Sequence, residues 1–235
     1  MPSRKSEFKF QDRGFQDNLV LIPGWATDYR IFDGLKLDYN YLLSTKLYPC
    51  NFNRDLLDQL DELKLSQVSV FGFSLGGFLA AEFATKFPER INELILLGVR
   101  KRYEEKNLED IKCAIQKNKR IWLYKFYLNC FSLLDAQGLS WFKQNLLEEY
   151  LMNLSLNELV EGLDYLAKHT LKPQSLVKIK QIRIFHGSQD KIAPLEEALE
   201  IKSNLPQAKF VLLTDIGHLL FLNPGFRKIF YDQGQ

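Results

Sequence analysis

The sequence predicts a protein of the α/β class, with a mostly parallel central sheet, helices on both faces of the sheet and a helical insertion. Short apolar runs alternate along the chain with segments of helical periodicity, which is typical of buried parallel strands and their connecting helices. One long stretch, residues 100–179, contains no convincing strand and shows helical patterns throughout. We therefore expect an α/β core formed by residues 1–99 and 180–235, with residues 100–179 as a helical cap.

Strands and helices alternate through the first hundred residues. The strands are expected where apolar runs meet turn residues, and the first helix is indicated by leucines that recur on one face. Pro88 is expected to end the helix before it, because the residue preceding a proline is disfavoured in helical geometry. The predicted elements are strands at 18–23, 44–49, 67–73 and 91–99 and helices at 53–65 and 75–87.

Helices are expected throughout the insertion, and strands return after it. Ser155 and Glu158 have the spacing of a capping box, in which two side chains satisfy free amides at a helix start. Pro194 suits the first position of a helix. The predicted elements are helices at 108–118, 119–131, 139–153 and 155–169, strands at 182–187 and 209–215, and a helix from Pro194 between those strands.

The composition is that of an ordinary globular protein, and it argues against several functional classes. Hydrophobic residues make up 46% and charged residues 26% of the chain, and the net charge is +2. Three scattered cysteines fit neither a disulfide framework nor a zinc site, and no apolar run suits a membrane span or a secretory signal. We expect a cytoplasmic monomer without cofactor, metal, nucleic-acid partner or stable membrane insertion.

The strongest chemical signal is the segment "GFSLG", Gly72 to Gly76, which matches the pattern G-x-S-x-G between a predicted strand and a predicted helix. A serine on a sharp strand-to-helix turn has a strained backbone and needs small neighbours two residues to either side. The turn exposes the hydroxyl, and the helix start directs free N–H groups at an oxyanion. Ser74 is therefore the candidate nucleophile, with the Leu75 amide as an oxyanion donor.

A serine nucleophile needs a base, and the sequence has three histidines. His218 follows the last predicted strand and is the candidate base, because ligands of such sheets bind at the carboxyl ends of the strands. His169, at the end of an insertion helix, and His186, at the end of a strand, are expected to be structural. Asp190, in the loop after the preceding strand, is the favoured acid, and Asp215 is the alternative because it lies close to the base in sequence.

A second oxyanion donor is expected in the loop after the first predicted strand. The segment "PGWATD" supplies Gly24, which permits a tight backbone, and Trp25, whose N–H can point into the site. The indole of Trp25 and the ring of Phe126 in the helical insertion are candidates for contacts with an acyl substrate.

Four stretches together, "LVLIPGWATDYRIF", "VFGFSLGGFLAAEFATKFPERINELILLG", "IFHGSQDKIAP" and "GHLLFLNPGF", resemble the α/β-hydrolase superfamily. Within it the chain resembles the carboxylesterases of biotin synthesis that act on pimeloyl-acyl-carrier-protein methyl ester. The resemblance implies a triad of Ser74, His218 and Asp190, an oxyanion hole from the Trp25 and Leu75 amides, and ester hydrolysis through an acyl-enzyme. In one departure, "YPCNFNRD" replaces the family's Asp-x-x-Gly-x-Gly-x-Ser loop and shortens one wall of the pocket.

Basic residues concentrate at the start of the insertion, where residues 99–125 contain nine Lys or Arg against four acidic residues. A cationic surface accelerates encounters with an anionic macromolecule. Acyl-carrier protein is strongly acidic, so the resemblance implies it as the carrier of the substrate, although a solvated helical face would have the same composition. The residues assigned to this docking surface are Lys117, Lys119, Arg120 and Lys125.

Three other functions remain open from the sequence. A generic short-acyl esterase or thioesterase would use the same residues without a protein partner. A menaquinone-pathway lyase of the same fold is disfavoured, because that enzyme favours an arginine where this chain has Phe78. A non-catalytic receptor is disfavoured, because a binding role does not require serine, aspartate and histidine to be present together.

Overall fold

The computed structural model describes residues 4–232, and its centre is a seven-stranded sheet. The strands are β1 (Glu7–Gln11), β2 (Asn18–Ile22), β3 (Asn40–Lys46), β4 (Val68–Phe73), β5 (Ile91–Leu97), β6 (Ile182–Gly187) and β7 (Lys209–Leu213). Their order across the sheet is β1-β3-β2-β4-β5-β6-β7. β1 pairs antiparallel with β3, and all other pairs are parallel.

Eight α-helices cover the sheet or form the insertion in the described chain. They are α1 (Phe52–Glu62), α2 (Leu75–Lys86), α3 (Glu105–Asn129), α4 (Ala136–Asn145), α5 (Leu147–Asn153), α6 (Leu156–Lys168), α7 (Leu195–Ser203) and α8 (Phe226–Asp232). Helices α3 to α6 lie between β5 and β6 in the chain. The predicted fold class, a mostly parallel sheet with covering helices and a helical insertion, is therefore confirmed.

The central strands are buried on both faces. All six residues of β4 are buried, and the only exposed residue of β5 is Asn92. Strands covered on both sides need apolar side chains in both directions, which explains why they form continuous apolar runs in the sequence. None of the helices within residues 4–232 combines the length and apolar character needed to cross a membrane.

The edge strand β1 is absent from the sequence-based prediction. Its five residues alternate between polar and aromatic side chains and are exposed or half-buried, so they form no continuous apolar run. β3 begins at Asn40 and ends at Lys46, whereas the prediction placed this strand at residues 44–49. The remaining predicted strands occur with ends shifted by at most two residues.

The insertion contains the predicted helical segments with two differences. The segments 108–118 and 119–131 form one element, α3, with a break at Asn118, whose φ of −157° and ψ of 87° are not helical. The segment 139–153 is divided into α4 and α5 at Leu146. Ser155 precedes α6 but makes no capping hydrogen bond with its side chain, so the predicted capping box is wrong. Ser155 and Glu158 instead line a cavity.

Candidate active site

Ser74 lies at the turn between β4 and α2 and has a strained backbone. Its φ of 52° and ψ of −115° fall in a region that residues with side chains rarely adopt. Its N–H donates to the Leu97 carbonyl at 2.9 Å, and its hydroxyl is not used to cap α2. The turn packs too closely for larger neighbours, because a Cβ on Gly76 would lie 2.3 Å from the Ile22 carbonyl oxygen.

Asp190 and His218 form a buried hydrogen-bonded pair in the loops after β6 and β7. His218 Nδ1 lies 2.7 Å from Asp190 Oδ2, and the side chains are 2% and 0% exposed. Asp190 Oδ1 accepts the backbone N–H groups of Ile192 and Ala193, each at 2.8 Å. Burial acts to raise the pKa of Asp190, but the charge and hydrogen bond of His218, with the amide contacts, lower it overall. The ionised carboxylate therefore holds the proton on Nδ1 of the imidazole.

His218 lies beside the turn that carries Ser74. Its ring centroid is 4.9 Å from that of Phe73, and its Nδ1 is 2.9 Å from the point that a Cβ on Gly98 would occupy. In the described part of the chain, no hydrogen bond joins the Ser74 hydroxyl to His218. Since Nδ1 is bonded to the carboxylate, Nε2 is the nitrogen that remains available to a nucleophile.

The phenol of Tyr103, which follows β5 at the start of the insertion, lies close enough to Ser74 for the serine hydroxyl to affect its pKa. The Tyr103 ring lies 4.6 Å from the Arg100 guanidinium and 6.1 Å from the Phe78 ring. Burial raises the pKa of Tyr103 to about 12, against the opposing effects of Arg100 and Ser74. The phenol is therefore protonated near neutral pH. Sequence reasoning missed this residue, because nothing in its local pattern indicates proximity to the turn.

Two backbone amides next to Ser74, those of Trp25 and Leu75, have no hydrogen-bond partner in residues 4–232. Leu75 is the first residue of α2, so its N–H lacks an intrahelical acceptor. Gly24 allows the other loop to approach closely, because a Cβ there would lie 3.2 Å from the Ser74 Cβ. Free N–H groups next to a nucleophile are the arrangement that stabilises an oxyanion.

Trp25 connects the loop after β2 to the helical insertion. Its ring centroid lies 5.1 Å from that of Phe126 in an edge-to-face contact, and 5.6 Å from that of Trp122. Its Nε1 donates to the Leu159 carbonyl at 2.8 Å. These contacts place Trp25 and Phe126 together, so that both rings can contribute to one apolar wall.

A cavity of about 220 Å³ adjoins Trp25 and Leu75. The loop after β2, the end of β3 and the connection from α5 to α6 form its walls, and Leu47 and Pro49 close one side. Ser44 also lines the cavity, is 1% exposed, and has a hydroxyl without a hydrogen-bond partner. The cavity therefore offers a bound molecule both apolar surface and an unused hydroxyl group.

The other two histidines and Asp215 lie in different surroundings. His186 is fully buried, and its Nε2 donates to the Ala193 carbonyl at 3.0 Å. Burial lowers the pKa of His186 despite the nearby Asp190 carboxylate, so the ring is neutral. His169 follows α6 and stacks on the Tyr165 ring at 3.8 Å. The exposed Asp215 makes no side-chain hydrogen bond to His218 within the described residues.

Most of the basic residues at the start of the insertion are paired with acids. Lys119 donates to the carbonyls of Met152 and Leu154 at 3.2 and 2.6 Å. Lys117 and Lys125 are exposed and form no ion pair within residues 4–232. The excess of positive charge counted in the sequence is thus smaller in the fold. The residues in ion pairs are Arg100, Lys101, Arg102, Lys112 and Arg120.

The carboxyl ends of the strands therefore hold a strained serine, an aspartate–histidine pair and two free amides. These are the parts that acyl transfer to serine requires, and they define a serine hydrolase. Among the described residues, no three His, Cys, Asp or Glu side chains are placed to hold a metal ion.

Comparison with known proteins agrees with this class. Residues 22–224 match the family described as alpha/beta hydrolase fold, and the chain belongs to that family. It is 28% identical over 229 residues to the pimeloyl-[acyl-carrier protein] methyl ester esterase of Nitrosomonas europaea, covering 88% of this chain and 90% of that protein. It is 25% identical over 228 residues to a 2-hydroxy-6-oxononadienedioate/2-hydroxy-6-oxononatrienedioate hydrolase of Paraburkholderia phymatum, covering 89% and 72%.

Solved structures agree on the fold. An esterase from Exiguobacterium antarcticum superposes with a TM-score of 0.81 at 19% identity, covering 97% of this chain and 95% of that one. A bromoperoxidase from Bacillus anthracis superposes with a TM-score of 0.83 at 20% identity, with the same coverage of 97% and 95%. The resemblance to the α/β-hydrolase superfamily is confirmed, and the chain is an enzyme of the carboxylic ester hydrolase class.

Proposed function

We propose that the protein hydrolyses the methyl ester of pimeloyl-acyl-carrier protein by transferring the acyl group to Ser74. The observation that carries this chemistry is the 2.7 Å hydrogen bond between Asp190 and His218, beside the strained turn of the nucleophile. The substrate is supported by relatives of that name from Nitrosomonas europaea and Aliivibrio salmonicida, at 28% and 24% identity. In this proposal residues 100–179 act as a cap on the core of residues 1–99 and 180–235.

In the first step, the Ser74 hydroxyl turns towards Nε2 of His218 and attacks the ester carbonyl carbon. Nε2 takes the hydroxyl proton as the new bond forms. Asp190 stabilises the resulting imidazolium without taking the proton itself. Catalytic hydrogen bonds of this kind are often incomplete before substrate binds, which accounts for the lack of a hydrogen bond between the hydroxyl and the imidazole in the described residues.

In the second step, the tetrahedral oxyanion accepts hydrogen bonds from the N–H groups of Trp25 and Leu75. Removal of one such donor costs about 3–4 kcal/mol of transition-state stabilisation. The bond to the methoxy oxygen then breaks, and His218 gives its proton to that oxygen, so methanol leaves. Water, deprotonated by His218, attacks the acyl carbon. The bond to Ser74 Oγ then breaks, and His218 gives the proton to that oxygen, which releases the free carboxylic acid and restores the hydroxyl.

The insertion supplies the contacts that would select the substrate. Trp25 and Phe126 form an apolar wall that suits a methylene chain. Lys117 and Lys125 present unpaired charge on α3 to an acidic carrier, while Lys119 and Arg120 bind the rest of the insertion. We therefore assign docking to this surface, with Lys117 and Lys125 as the residues that contact the carrier.

The substrate assignment predicts that the purified protein releases methanol from pimeloyl-acyl-carrier-protein methyl ester and also hydrolyses p-nitrophenyl butyrate. Replacing Lys117 and Lys125 together by alanine is expected to lower kcat/KM for the carrier-linked ester about tenfold, because fewer surface charges attract the acidic carrier. The free ester should be turned over at the wild-type rate. Methanol release and p-nitrophenol absorbance measure the two reactions.

The matched control replaces Lys9 and Lys36, which are exposed on the core, and should leave both rates unchanged. Equal losses on the two substrates in the Lys117 and Lys125 variant would contradict the docking role. A wild-type protein that hydrolyses the free ester but not the carrier-linked one would instead be a generic short-acyl esterase.

A further inference from the structure

The loop that carries His218 is attached to the core on one side. Ser188 Oγ accepts the Asp215 N–H at 2.8 Å, and the Gln189 N–H donates to the Ile216 carbonyl at 2.9 Å. Ser188 and Gln189 belong to the loop after β6 that also carries Asp190. These contacts join the acid loop and the histidine loop to each other.

The same loop is attached on its other side to the helical insertion, at the turn of residues 130–135 between α3 and α4, here termed the α3–α4 turn. The Cys130 carbonyl accepts the N–H groups of His218 at 2.7 Å and of Leu219 at 3.3 Å. Ser132 Oγ donates to the Asp215 carbonyl at 2.5 Å. The backbone of the candidate base is thus bonded to the end of the helix that carries Phe126.

Asp135 completes this attachment with a buried carboxylate. It is 6% exposed, and its Oδ2 accepts the N–H of Gly217 at 2.7 Å and that of Ser132 at 3.0 Å. Hydrogen bonds to an ionised acceptor are roughly twice as strong as neutral ones. One carboxylate oxygen therefore joins the α3–α4 turn to the residue directly before His218.

The backbone packs closely at this junction. A Cβ on Gly217 would lie 2.6 Å from the Cys130 carbonyl oxygen and 2.8 Å from the Ser132 nitrogen. Backbone therefore contacts backbone directly. The N–H groups of His218 and Leu219 donate to the Cys130 carbonyl, and that of Gly217 donates to the Asp135 carboxylate. The backbone on either side of the imidazole is thus held directly by the α3–α4 turn.

We propose that Asp135 is a positioning residue for the base: its carboxylate fixes the His218 loop to the α3–α4 turn and so sets the imidazole between Asp190 and Ser74. This inference rests on the proposed function of that site. Asp135 itself touches neither the nucleophile nor the acid. Its effect on catalysis runs through the Gly217 amide, and the misplacement of a catalytic group by about 1 Å can cost roughly 100-fold in rate.

The test compares Asp135→Ala with Asp135→Asn. Asp135→Ala is expected to lower kcat for p-nitrophenyl butyrate about 100-fold with little change in KM, because the free ester binds as before but the base is displaced. Asp135→Asn keeps an oxygen that accepts the Gly217 N–H, and is expected to recover most of the rate. The control is Asp55→Ala, which removes another buried carboxylate, 1% exposed, that lies on α1 and accepts the Ser6 N–H at 2.7 Å.

A second measurement, by proton NMR, does not depend on catalytic activity. The Nδ1 proton of His218, bonded to Asp190, should give a low-field proton resonance in the wild type that is lost or shifted in Asp135→Ala and kept in Asp55→Ala. An unchanged resonance with wild-type kcat in Asp135→Ala would overturn the inference, as would equal losses per folded molecule in Asp135→Ala and Asp55→Ala. A wild type inactive on every ester would instead refute the proposed function, while the resonance would still decide the role of Asp135.

Discussion

Replacing Ser74 by alanine is expected to reduce the hydrolysis of p-nitrophenyl butyrate by about 10⁴- to 10⁶-fold. The remaining activity would come from the oxyanion hole and substrate binding alone. The change removes the attacking oxygen, so no acyl-enzyme forms. The fold should be retained, because the hydroxyl makes no capping bond to α2 and the backbone bond to Leu97 is kept. Initial rates at neutral pH, with circular dichroism to verify folding, measure the effect.

The control for this variant is Ser69→Ala, which removes a buried serine hydroxyl from β4, the strand that leads to Ser74. Ser69 is five residues from the turn, and its replacement should leave kcat at the wild-type value. Substantial turnover by a folded Ser74→Ala protein would mean that another group attacks the ester.

Replacing Asp190 by asparagine is expected to lower kcat by about 10⁴-fold through the wrong tautomer of His218. Asp190 Oδ1 accepts two backbone N–H groups, from Ile192 and Ala193, at 2.8 Å. An asparagine would keep its oxygen at that position and turn its NH₂ group towards the imidazole. Nδ1 would then have to accept a hydrogen bond, which leaves the proton on Nε2, where it blocks the base. The kcat for p-nitrophenyl butyrate measures this loss.

Asp215→Asn is the matched control, since Asp215 is the other acid near the base in sequence. Its φ of 63° is tolerated by asparagine, and its side chain is exposed. We expect wild-type rates from this variant. A large loss in Asp215→Asn together with a small loss in Asp190→Asn would reverse the assignment of the acid.

The features that could be predicted from the sequence are those whose physical requirement is local. The turn at Ser74 needs Gly72 and Gly76, because Cβ atoms there would lie 2.5 and 2.3 Å from backbone oxygens, so a five-residue pattern identifies it. The buried strands were predicted because burial on both faces requires unbroken apolar runs. The edge strand β1 was not predicted, because its polar and aromatic residues alternate and form no such run.

The features that could not be predicted depend on contacts between distant parts of the chain. Tyr103 lies near Ser74, and Asp135 accepts the N–H of Gly217, 82 residues away, without any local pattern that indicates either proximity. The cationic surface was overestimated for the same reason. Lys112, for example, is neutralised in part by Asp164, on a different helix. A count of charges along the sequence does not include such partners.

The most direct measurement of the central claim is the reaction of the wild-type protein with a fluorophosphonate, followed by intact mass and peptide mapping. The reagent phosphonylates a serine only where a base activates the hydroxyl and an oxyanion hole receives the phosphoryl oxygen. We predict one adduct per chain, on Ser74, formed far more slowly in His218→Ala. An adduct on another residue, or an equal rate of labelling in His218→Ala, would contradict the assignment of Ser74 and His218 as nucleophile and base.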